Sequence, residues 1–163
     1  MKYAGLICIL LAACTAGYAA ASGLRAKAEQ ARLLHLLLER ICGELRASLP
    51  LITDLIRNLA GQADFSGLHF LTRAAERAEQ FPECWQTALS EDRTLPPDVR
   101  RVLEQTGSIL GSMPLEEQIS ALRVQQTRLA ELTAQYSDTE RQKGTLYRSL
   151  GILSGLFFVI ILL

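Results

Sequence analysis

The chain has 163 residues, 17 Lys and Arg against 17 Asp and Glu, and a formal net charge of zero. That balance excludes a nucleic-acid binder working by bulk charge, because phosphate recognition requires a clustered cationic excess. The zero conceals a segregation: every acidic residue lies between Glu29 and Glu140, and residues 3–24 and 149–163 carry no charge at all.

Residues 3–24 read YAGLICILLAACTAGYAAASGL. As a helix they span ~33 Å, enough to cross a bilayer. Two readings stand side by side: a retained membrane anchor, or a signal peptide behind Lys2. Leu11-Ala12-Ala13-Cys14 resembles a lipoprotein cleavage box. The thin basic n-region and the small apolar run beyond Cys14 favour the anchor.

Residues 25–148 are long enough for one domain with a modest core. No convincing strand alternation occurs in them. Leu34, Leu37, Leu38, Ile41 and Leu45 recur at helical spacing within 25–48. Pro50 predicts the start of a second helix, with Leu51, Leu55, Ile56 and Leu59 inward and Gly61 at its end. Ser66 predicts the cap of a third helix carrying Leu68, Phe70 and Leu71. Phe81-Pro82 opens a short fourth with Trp85 and Leu89 inward, and Pro97 opens a fifth with Val102, Leu103, Ile109 and Leu110. Gly111-Ser112-Met113-Pro114 closes it. From Leu115 onward, Leu122, Leu129, Tyr136 and Leu150 share a seven-residue spacing in which Lys143 is the polar member, with Ile119 and Leu132 beside them. This stretch predicts one long helix, running on into the terminal segment and packed on the first helix rather than in a dimeric coiled coil.

Residues 149–163 read SLGILSGLFFVIILL. Their helical length, ~22 Å, falls short of a ~30 Å hydrocarbon core. Tyr147 and Arg148 can extend the segment by placing their polar ends at the interface. Arg25, Lys27, Arg32 and Arg40 follow the first apolar segment, and Arg141, Lys143 and Arg148 precede the second. Basic flanks mark the cytoplasmic side, so the middle is expected inside and both termini outside. Ala13, Gly17 and Ala21, and in the other segment Gly151 and Gly155, form small-residue faces suited to intramembrane helix packing.

The chemistry of enzymes is not visible. No phosphate-binding loop, nucleophile elbow, dinucleotide fingerprint or zinc-protease motif occurs. Cys8, Cys14, Cys42 and Cys84 are isolated from one another, and His35 and His69 lie far apart, so no metal or redox site can be written. Cys42 and Cys84 read as packed, reduced thiols. Glu91-Asp92 and Glu116-Glu117 point ~100° apart on a helix and read as solvated charge rather than an acid/base pair. His35, in a leucine run, reads as a packed histidine, and Trp85 as a core anchor. No cofactor, metal or small-molecule substrate is expected.

Several stretches together resemble one family. CTAGYAAASGL with ARLLHLLLERICGELRASLPLITDLIRNLA looks like its first anchor and opening helix pair, and FPECWQTAL like its short aromatic helix. Gly107, Leu110, Gly111 and Gln118 fit an L-G turn followed by glutamine, and RQKGTLYRSLGILSGLFFVIILL resembles its terminal helix. The family is stage III sporulation protein AB of endospore-forming bacteria. The resemblance implies two membrane anchors around a helical domain similar to the cytoplasmic domains of inner-membrane platform proteins in type II secretion and type IV pilus machines. It implies a place in the channel complex between mother cell and forespore. The implied partners are a cytoplasmic ATPase, stage III sporulation protein AA, and the other stage III channel proteins. One departure stands out: where the family often has an aspartate able to cap the long helix, this chain has Pro114, leaving Ser112 as the nearest capping hydroxyl.

The expectation is an all-α protein: a transmembrane anchor over 1–24, a cytoplasmic bundle of about six helices over 25–148, and a transmembrane helix over 149–163. It is expected to be a non-enzymatic scaffold in the mother-cell membrane, contacting partners through Arg40, Glu44, Arg46 and Arg57. The rival expectation is an exported or lipoprotein-anchored helical binding module. A weaker third is a self-associating coiled-coil protein unrelated to secretion.

Overall fold

The computed structural model describes the backbone of residues 2–162, and the side chains of residues 22–146 together with Thr15, Ala19, Ser149, Leu150 and Leu153. Within them the protein is all-α, with six α-helices and no strand. These are α1 (Lys2–Ser48), α2 (Ile52–Ala60), α3 (His69–Glu76), α4 (Glu83–Glu91), α5 (Pro97–Ile109) and α6 (Leu115–Leu162). Two 3-10 turns, Ala63–Phe65 and Ala78–Gln80, join α2 to α3 and α3 to α4. The chain divides into two compact units, residues 30–133 and residues 1–29 with 134–163. Among the described residues no helix is long and apolar enough to cross a membrane. The two expected spans fall largely outside the described side chains, and so do Ala13, Gly17, Ala21, Gly151, Gly155, Cys8 and Cys14.

The core of the 30–133 unit follows the helical stripes. Leu34, Leu37, Leu38, Ile41 and Leu45 of α1 are buried as expected, joined by Ala31 and Cys42. Leu55, Ile56 and Leu59 bury the inner side of α2. α3 packs between α2 and α4, and α4 packs on α5. Each large apolar side chain withdrawn from water contributes about 1.5–3 kcal/mol, which is what holds helices this short.

Trp85 lies at the centre of this packing, fully buried. Its Nε1–H donates to the Leu103 carbonyl of α5 at 2.8 Å. Phe70 meets it edge-on with ring centroids 5.3 Å apart, and Phe81 at 6.5 Å. Its ring lies directly on Gly107. A Cβ built there would stand 2.8 Å from Nε1 and 3.1 Å from Cγ, closer than packed carbons tolerate. Glycine at 107 is therefore what allows α4 and α5 to close.

The element boundaries correct several expectations. α2 begins at Ile52, two residues after Pro50, and Leu51 is 72% exposed rather than inward. Leu49 before the proline takes φ +46°, a left-handed conformation that costs a side-chain-bearing residue stability. Ser66 does not cap α3; its hydroxyl donates to the Ala63 carbonyl at 2.8 Å and closes the preceding 3-10 turn. Leu68 stands at the α3 N-cap with no side-chain bond. Ser112 donates to the Ile109 carbonyl at 2.9 Å, so it finishes α5 and does not start α6.

The α5–α6 turn is secured differently from a capped helix start. Gly111 takes φ +75°, where glycine is unstrained. Its N–H donates to Gln118 Oε1 at 3.3 Å. Gln118 is buried, as is Gln125 one heptad later, while the Nε2 of the first and the Oε1 of the second have no partner. The expected stripe on α6 is buried at Ile119, Leu122 and Leu129, half-buried at Leu115, Leu132 and Tyr136, and exposed at Lys143 and Leu150. α6 continues unbroken to Leu162, as the absence of breakers predicted.

Asp92, expected as solvated charge, is buried in the α4–α5 loop. Its Oδ1 accepts from Thr94 N at 2.9 Å and Thr94 Oγ1 at 2.6 Å, and Arg100 Nη2 donates to its carbonyl at 2.6 Å. This is a side-chain turn of the kind Asp forms before a Pro-rich corner. Gln30 Nε2 of α1 donates to Thr94 Oγ1 at 3.1 Å, tying the loop to the first helix, and Arg128 of α6 donates to Gln105 Oε1 of α5 at 3.0 Å.

Cys42 and Cys84 are buried free thiols, as expected. Burial pushes both above the ordinary thiol value, against the lowering effects of Arg46 and Arg123 on Cys42 and of backbone N–H groups on Cys84. An acid held neutral in the fold binds its proton more tightly than in the unfolded chain. Stability is then complete below the unfolded thiol value and falls as pH rises above it.

Two outcomes follow. Gly107→Ala should destabilise the chain by about 1–3 kcal/mol in denaturant titrations, the overpacking of the indole outweighing alanine's helix preference. Unfolding free energy should decline from about pH 8 to pH 10, and a Cys42→Ala/Cys84→Ala chain should show a shallower decline over the same range.

Candidate functional site

Arg40 and Glu44 lie one turn apart on α1, and the fold brings them to the same groove. Its wall on α1 is Leu36, Glu39, Arg40, Gly43, Glu44 and Ala47; Gln62, Asp64 and Phe65 come from the turn after α2. The groove measures about 550 Å³. Leu36 is 42% exposed in it, whereas Phe65 is buried. Three carboxylates, Glu39, Glu44 and Asp64, face one guanidinium, Arg40.

Arg46 and Arg57 are not part of this groove. Arg46 borders a separate cleft with Leu115, Glu116, Ile119, Ser120 and Arg123, beside the start of α6. Arg57 Nη2 sits 3.0 Å from Glu79 Oε1, with both side chains largely in solvent. Such a pair contributes about 0–1 kcal/mol and leaves the guanidinium already engaged. A third cleft, between α3 and α4, is lined by Arg73, Glu76, Arg77, Glu83, Cys84 and Glu91 among others, and holds the 3.4 Å Arg73–Glu91 pair. The four expected contact residues therefore occupy three places on the surface, and only Arg40 and Glu44 line the same groove.

The sequence reading missed Leu36, Glu39, Gly43, Asp64 and Phe65. Gly43 carried a usable signal, because glycine inside a helix costs about 0.5–1 kcal/mol relative to alanine and calls for a reason. Asp64 and Phe65 carried none, since they reach α1 only through the path of the chain after α2.

His35 is half-buried with Nδ1 unpartnered. Among the described residues no group of three His, Cys, Asp or Glu is placed to hold a metal ion. The α1 groove combines the exposed Leu36 with three carboxylates and one guanidinium.

A family model described as stage III sporulation protein AB matches residues 2–163. No curated protein and no solved structure matches the chain. The match runs through both apolar ends, the aromatic fourth helix and the α5–α6 turn alike, and the chain belongs to the stage III sporulation protein AB family.

Proposed function

We propose that the chain is a membrane platform subunit of a sporulation channel complex, with no chemistry of its own. In this reading residues 3–24 and 149–163 lie in the mother-cell membrane facing the forespore. The bundle lies in the cytoplasm, both termini lie outside, and the bundle docks the ATPase stage III sporulation protein AA beside other stage III channel proteins.

One observation carries the reading: α6 continues into the uncharged C-terminal segment as one unbroken helix, within a family match over residues 2–163. A soluble binding module has no use for fifteen uncharged residues ending in FFVIILL, which water would meet on every side. The basic residues next to both apolar segments support the cytoplasmic placement of the bundle. The family's description names no reaction.

Two measurements test this. Mass spectrometry of the native protein should find residues 1–24 intact; a lipidated Cys14 as first residue would instead establish the exported lipoprotein. The full-length chain should co-purify with stage III sporulation protein AA from detergent extracts. Arg40→Glu and Glu44→Arg should lower the recovered ATPase several-fold without changing the melting temperature by more than a few degrees. Absence of the ATPase from the wild-type eluate would refute the docking.

A further inference from the structure

We draw no further inference here: the strongest candidate, the surface patch at the α1–α2 corner where Leu49 and Leu51 stand exposed beside a hollow that Ile52 and Phe81 help to line, is an unpartnered apolar face, and nothing in the structure shows what covers it.

Discussion

The close approach of the Trp85 indole to Gly107 sets the geometry of the bundle. A tryptophan is too large and too rigid to be absorbed by small shifts, so the helices around it must leave a place of its shape. That place exists because α5 has no Cβ at 107 and offers the Leu103 carbonyl one turn earlier as acceptor for Nε1–H. Phe70 from α3 and Phe81 ahead of α4 complete the cage with edge-on rings. Three short helices, none stable alone, thus share one anchor, and their mutual orientation follows from it.

Around this anchor the polar groups are spent on corners. Asp92 gathers Thr94 and Arg100 at the Pro-rich turn into α5, and Gln30 of α1 reaches the same threonine. At the other end of α5, Gln118 reaches back to the Gly111 N–H, supplying the turn with a side-chain contact that Pro114 cannot make. The long helix therefore starts without a capping oxygen yet is held at its first turn from the side. Apart from the reach of Gln30 to Thr94, these contacts join residues no more than eight positions apart.

The outer face obeys a different economy. Exposed ion pairs such as Arg57–Glu79 hold little energy and can be exchanged. The α1 groove is lined by Glu39, Glu44 and Asp64 beside Arg40, with no ion pair within 4 Å among these four side chains. Arg40 and Glu44 belong to that surface; Arg46 beside α6 and Arg57 beside Glu79 do not.

Much of the fold was legible in the chain itself. Leucine spacing at 34–45 marked the inner face of α1, proline and glycine marked where α5 begins and ends, and a breaker-free run marked α6. These signals are local, and a helix needs only local periodicity and local caps. The segregation of charge into the middle was legible for the same reason. Side-chain roles that depend on long-range approach were not. Asp92 looked like solvated charge and is buried, because Thr94 meets its carboxylate and Arg100 its carbonyl. Leu51 looked like core and is exposed, because α2 starts two residues later than Pro50 suggested. Asp64 and Phe65 join the groove of Arg40 and Glu44 only through the path of the chain after α2. The sequence by itself determined which stretches are helices and which of their stripes are apolar. The tertiary structure alone decided which polar groups are satisfied inside and which recess is left open, because both depend on residues far apart in the chain meeting in space.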